Sequence, residues 1–250
     1  MKIIEVNHLR CDLGGVNILD DVSFDVKKGE IFAIVGGSGS GKTTILRNLI
    51  MLIKPTSGEI KIFDKNIWTA SQKIASQLRQ RFGVMFQHSA LFSSLSVLEN
   101  VMFPLREFTA LSLKDCRALA SLKIAFVGLP SSARNKLPGE LSGGMQKRAA
   151  LARAIALDPE LLFLDEHTSG LDPQGAEELD ALISNLRDGL DLTIVMVTHD
   201  LDSLWAIANR VAFIGEGTII ATQSIDQLVS NTHPIIQKYF SGNRAKRRNL

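Results

Sequence analysis

The sequence predicts an α/β protein built on a largely parallel sheet, and three observations carry that prediction. Strands apolar on both faces alternate with helical stretches early and late in the chain, as in a sheet covered by helices. One such strand runs straight into a glycine-rich turn and then a helix. Between the two alternating portions, from about His88 to Asp158, strand signals vanish and helix-forming sequence takes over.

In chain order, Ile3 to Val6 and Val22 to Val26 read as short strands. Ile31-Phe32-Ala33-Ile34-Val35 reads as a central strand, because a run apolar at every position has no face to give to water. Lys42 to Leu52 has helical character, Glu59 to Phe63 and Val84 to Phe86 read as strands, and Lys73 to Arg81 as a helix. The middle stretch contributes helices over Cys116 to Val127 and Met145 to Leu157. Alternation then returns: strand Leu161 to Leu164, helix Ala176 to Arg187, strand Leu192 to Val197, helix Leu201 to Ala208, strand Val211 to Ile214.

Composition narrows the function. A chain of 250 residues with 45% hydrophobic and 22% charged side chains buries one substantial core. The formal charge of +2 argues against nucleic acid as a partner. The two cysteines, Cys11 and Cys116, lack metal-ligand spacing and read as reduced thiols. The opening residues read as a strand rather than a secretory leader. No uninterrupted apolar run approaches the ~20 residues that cross a bilayer, so any membrane role needs a partner's span.

The turn Gly36-Gly37-Ser38-Gly39-Ser40-Gly41-Lys42-Thr43 matches the pattern G-x-x-x-x-G-K-[ST] at the strand-to-helix junction which that pattern requires. Its glycines let successive N–H groups and a helix N-terminus face an anion. Lys42 is expected at the β and γ phosphates, Thr43 on Mg²⁺ and Thr44 at the α or β phosphate. The strand Leu161 to Leu164 ends in Asp165-Glu166, two acids at the tip of an apolar strand. Asp165 fits a Mg²⁺ position, and Glu166 fits a general base or a water-orienting group. His199 and Gln87 also follow strands, at the carboxyl edge where open sheets bind ligands. His199 suits a γ-phosphate sensor, and the Gln87 amide suits Mg²⁺ or water. Finally, Leu141-Ser142-Gly143-Gly144-Met145-Gln146 opens a helix with small residues, a second anion site. One chain thus carries two half-sites for one γ-phosphate. Two copies paired head to tail use both, each glycine turn closed by the partner's Ser142, Gly143 and Gly144.

On these residues the chain resembles the ATP-binding cassette family over nearly its whole length. The matching parts stand in family order: Gly36 to Thr43 (Walker A), Gln87 (Q-loop), Leu141 to Gln146 (signature), Leu161 to Glu166 (Walker B), Ser169 to Asp172 (D-loop) and His199 (H-loop). The resemblance implies a RecA-like core with an antiparallel β subdomain and an α-helical subdomain. It also implies ATP and Mg²⁺ held between two copies, with Asp172 among the nucleotide-binding residues. The expected organisation is one domain over 1–250. The core and β subdomain take 1–87 and 159–241, the helical subdomain 88–158, and a basic tail 242–250. Two positions depart from the family pattern. Leu13 stands where an aromatic residue commonly stacks on adenine, which loosens the preference for ATP over GTP. His167 stands where proline usually follows the glutamate. Losing proline frees φ and restores an N–H; that is either a tolerated variation or the mark of a slower, more loosely coupled enzyme.

A narrower resemblance, to the ATPases of Mla or MCE-type lipid transporters, rests on Phe86 to Phe92, Ser96 to Val101, Phe103 to Glu107 and the short helical ending Pro234 to Gly242. It implies phospholipid cargo moved between inner and outer membranes, and a place on the cytoplasmic face of a gram-negative inner membrane. The implied partners are an integral-membrane permease, an MCE-domain protein and a STAS-domain protein. The apolar residues Leu91, Phe92, Leu95, Leu98, Val101 and Phe103 are shared between core packing and a groove for a permease helix. The basic tail Arg244, Lys246, Arg247 and Arg248 could lie on anionic lipid. The alternatives are an importer ATPase for amino acids or metal ions, and a soluble ABC ATPase acting on ribosomes or DNA. The second lacks support, since neither a second cassette nor a long coiled-coil insertion is present.

Overall fold

The computed structural model describes residues 1–241. The basic tail 242–250, with its expected lipid contact, lies outside the described residues. In chain order the elements are β1 (Lys2–Leu13), β2 (Val16–Lys27), β3 (Ile31–Gly36), α1 (Lys42–Leu49), β4 (Ser57–Ile62), β5 (Lys65–Asn66), α2 (Gln72–Gln80), β6 (Phe82–Met85), α3 (Val97–Phe108) and α4 (Leu113–Phe126). There follow α5 (Gly143–Ala154), β7 (Leu161–Asp165), α6 (Pro173–Leu190), β8 (Thr193–Val197), α7 (Leu201–Ile207), β9 (Arg210–Gly215), β10 (Thr218–Gln223), α8 (Ile225–Val229) and α9 (Pro234–Phe240). The chain divides into two compact units, one of residues 1–75 with 193 onward, the other of residues 76–192.

The first unit holds an antiparallel sheet ordered β2-β1-β4-β5. It also holds a parallel trio in which β3 lies between β8 and β9, with β10 antiparallel on β9. The expectation for Ile31 to Val35 holds: all of β3 is buried, as are all of β8 and most of β9. Each large apolar side chain placed there stabilises the fold by ~1.5–3 kcal/mol relative to exposure. Strands β1 and β2 run much further than the short segments read from sequence. Their outer portions carry His8, Arg10, Asp12, Asn17, Asp20 and Asp21 among apolar positions, and the pairing shifts register repeatedly, so period-2 alternation is lost. His8 and Asp21 both sit at positive φ within these strands, where the register shifts, and the His8 amide donates to Ser23 Oγ at 2.8 Å.

The second unit pairs β6 with β7 in parallel and adds helices α3 to α6, of which α5 packs on β6. Between residues 88 and 158 the described chain contains no strand. Helix α3 is capped by Ser96, whose Oγ accepts from the Glu99 amide while Glu99 returns a bond to the Ser96 amide. It carries Pro104 in its interior. Of the apolar residues assigned between core and groove, Leu98 and Val101 are buried, whereas Phe92 and Phe103 are exposed and pack on each other with centroids 4.8 Å apart. Helix α5 seats on β6 at Gly83, where a Cβ would stand 2.1 Å from the Ala154 carbonyl oxygen. Only glycine allows that approach. Among the described residues no helix is long and apolar enough to cross a membrane.

Candidate nucleotide site

The glycine turn leaves the carboxyl end of β3, the strand flanked by two parallel neighbours. Gly36 pairs with Ile214 of β9, and a Cβ on Gly36 would lie 2.1 Å from the Ile214 carbonyl oxygen, so the turn begins at a position closed to any side chain. Gly37 and Gly39 are the opposite case: a Cβ there would meet nothing within 4 Å. Their bareness serves an open side rather than the packed core. Gly41 is the N-cap of α1, which has no side-chain cap, so the first N–H groups of Lys42, Thr43 and Thr44 are not claimed by a capping oxygen. Ser40 Oγ is buried without a hydrogen-bond partner. Lys42 Nζ donates to the carbonyls of Gly36 at 2.9 Å and Gly37 at 2.8 Å, curled over its own loop. Bare glycines, an uncapped helix start, an orphaned hydroxyl and a lysine form a cradle that fits a phosphate chain.

His199 belongs to the same unit. Val197 of β8 lies opposite Ile34 of β3, so His199 and the glycine turn leave adjacent parallel strands at the same edge. Leu13 ends β1 opposite Val16 and is 36% exposed, available to a ligand surface.

In the second unit, Met85 lies opposite Leu164, so Gln87 and Glu166 each stand two residues past that rung of parallel β6 and β7. Gln87 Nε2 donates to Ser169 Oγ at 3.4 Å, which joins the Q-loop to the D-loop segment. Asp172 caps α6 by accepting from the Gly175 amide at 2.7 Å. Ser142 caps α5, its Oγ accepting from the Met145 amide at 3.3 Å. Gly143 and Gly144 form the first turn of α5, and a Cβ on either would meet only Leu171 at 4.0 Å. The helix starts at Gly143 rather than Met145, so both glycines supply helical N–H groups.

Sequence reasoning missed Lys147. It is 5% exposed on α5, and its Nζ donates to the carbonyls of Gln87 at 2.5 Å and Glu166 at 3.4 Å. Burial lowers its pKa, and the charges of Asp165 and Glu166 work against that shift. One turn and a half further on, Arg153 donates to the carbonyls of Ala90 at 2.7 Å and Ser89 at 3.0 Å; burial lowers its pKa as well. Two cations on the signature helix therefore grip the segment after β6. A lysine within a helix normally signals a solvated face, so its type alone gave no warning. His167 is fully buried, with Nε2–H donating to Asp180 Oδ1 of α6 at 2.7 Å. Proline could not have made that bond.

Comparisons with known proteins identify the family. The ABC transporter family model matches residues 19–169. The intermembrane phospholipid transport system ATP-binding protein MlaF of Haemophilus influenzae is 39% identical over 241 residues, 96% of this chain and 91% of that protein. The probable ribonucleotide transport ATP-binding protein mkl of Mycobacterium bovis is 36% identical over 96% of this chain and 67% of its own length. A dimeric, post-hydrolysis structure of the ATP-binding cassette MJ0796 bound to ADP and Pi superposes with a TM-score of 0.81 at 30% identity, covering 89% of this chain and 98% of that one. With similarity running through both units, this chain belongs to the ABC transporter family, as an ATP-hydrolysing cassette.

Proposed function

We propose that the chain drives an inner-membrane transporter of phospholipid, working on the cytoplasmic face as one half of a head-to-tail dimer. The observation that carries this reading is the match to MlaF along nearly the full length of both chains. The mkl protein, described by another cargo, extends well beyond the matched region.

In this reading the N–H groups of the glycine turn bind the phosphates, and Lys42 turns from the Gly36 and Gly37 carbonyls onto the β and γ oxygens. Thr44 assists at the α or β phosphate, and Leu13 gives adenine an aliphatic contact. Thr43, Gln87 and Asp165 offer only oxygen donors, the set a hard cation prefers, and would hold Mg²⁺. When bound, Mg²⁺ supplies charge neutralisation at the phosphate oxygens. Glu166 orients the attacking water and takes its proton, and His199 senses the γ-phosphate. Lys147 fixes the backbone carbonyls of both Gln87 and Glu166 to the signature helix. Ser142, Gly143 and Gly144 of a second copy close the site, with Asp172 beside it. Closing and reopening of the dimer rocks a permease that supplies the membrane span. An MCE-domain protein and a STAS-domain protein complete the complex.

Affinity capture of the chain from its native membrane, followed by mass spectrometry of proteins and lipids, tests the reading. It predicts a permease, an MCE-domain protein and enriched phospholipid. A permease accompanied by an amino-acid or metal-binding protein, without phospholipid, contradicts it.

A further inference from the structure

His167 occupies the second position of a turn closed by the Ser169 amide, which donates to the Glu166 carbonyl at 3.0 Å. Proline suits that position because its ring presets φ. The preceding Glu166 is held at φ 48, in the left-handed region a glutamate adopts only where its surroundings impose it. Histidine cannot set φ covalently, so the turn needs an anchor from outside. The structure supplies one: the imidazole is 0% exposed and its Nε2–H reaches Asp180, itself 4% exposed and carried on α6. The other ring nitrogen, Nδ1, is buried without a hydrogen-bond partner. An aliphatic side chain would fill the space without stranding a nitrogen, so packing alone gives no reason for histidine.

We propose that His167 and Asp180 are a positioning pair that does proline's work in this chain: their hydrogen bond ties the turn to α6 and so aims Glu166. Neither residue touches nucleotide or the attacking water; both act through the backbone. The inference rests on the reading of Glu166 as the base for ATP hydrolysis.

The test compares His167→Gln, which keeps a side-chain N–H donor, with His167→Met, which has nearly the same shape and none. Steady-state ATPase of the full chain is measured against ATP concentration, with thermal melts alongside. His167→Met and Asp180→Ala are each expected to lower kcat by roughly 10–100-fold, the scale of a misaimed reacting group, with KM for ATP within about twofold. His167→Gln and Asp180→Asn are expected to stay within about threefold of the unsubstituted chain. In a His167→Pro background the ring holds the turn, so adding Asp180→Ala should change kcat by less than about twofold. Equal kcat for the Gln and Met variants overturns the proposal. So does an Asp180→Ala loss as large in the His167→Pro background as beside histidine. If His167→Met fails to fold, the Asp180→Ala comparison in the two backgrounds decides alone. Glu166→Gln is run in parallel. If it keeps turnover, the reading of Glu166 fails; if it abolishes turnover while the Gln and Met variants match, only the positioning pair fails.

Discussion

Alanine at two adjacent glycines should have opposite consequences, because one glycine serves the fold and the other the ligand. A Cβ on Gly36 would sit 2.1 Å from the Ile214 carbonyl oxygen, 2.8 Å from Ser40 Oγ and 2.9 Å from Ile214 Cγ2. Relieving the first contact demands a shift of ~1 Å or more between two backbones. Gly36 and Ile214 form the last rung between β3 and β9, so that shift strips the rung. Overpacking of this kind costs ~1–3 kcal/mol. For a chain of this size that lowers Tm by roughly 2–12 °C, at ~2–4 °C per kcal/mol. Gly37 has no positive φ, and a Cβ there meets nothing within 4 Å, so Gly37→Ala should melt within ~0.5 kcal/mol of the unsubstituted chain, or slightly above it. The open side is where phosphate is expected, however. Saturating MgATP at ~100 times Kd stabilises a binding-competent chain by ~2.7 kcal/mol, and Gly37→Ala should forfeit most of that. Thermal melts with and without MgATP measure both effects. A Gly37→Ala chain with the full nucleotide shift, or a Gly36→Ala chain melting normally without nucleotide, refutes the reasoning.

Three further outcomes are expected. Lys147→Met strips the donor from the Gln87 and Glu166 carbonyls and should cost ~1–3 kcal/mol in urea unfolding while slowing ATP turnover; an unchanged midpoint and rate count against the clasp. Glu166→Gln should cut turnover by ~10²–10⁴ and trap an ATP-bound dimer on size exclusion, whereas a monomer at saturating ATP would speak against a shared site. Leu13→Phe should tighten ATP binding, since base–aromatic stacking contributes ~1–3 kcal/mol, and an unchanged Kd by calorimetry removes Leu13 from the nucleotide site.

The sheet was legible where burial is two-sided. Strands β3, β7 and β8 are apolar runs that no solvent-facing element would tolerate, and their turns carry the chemistry-bearing residues within the next few positions. Legibility failed at edges. All six residues of β10 are half-buried, so neither alternation nor a continuous apolar run marks the strand. Helix α3 was hidden by Pro104, although Ser96 and Glu99 spell a capping box that marks its start. At the site, glycine patterns and strand-end acids announced themselves by type. Lys147 and Asp180 did not: each is a charged residue on a helix, and only tertiary packing turned those positions inward.

The most direct test of the shared site is oxidative crosslinking between copies. Cysteines replace Ser38 in one copy and Gly144 in the other, in a Glu166→Gln background lacking the buried Cys11 and Cys116. Head-to-tail sharing predicts a disulfide between copies that forms in the presence of MgATP and does not form in the presence of ADP. A chain saturated with ATP that gives no such bond, or a bond indifferent to nucleotide, contradicts it.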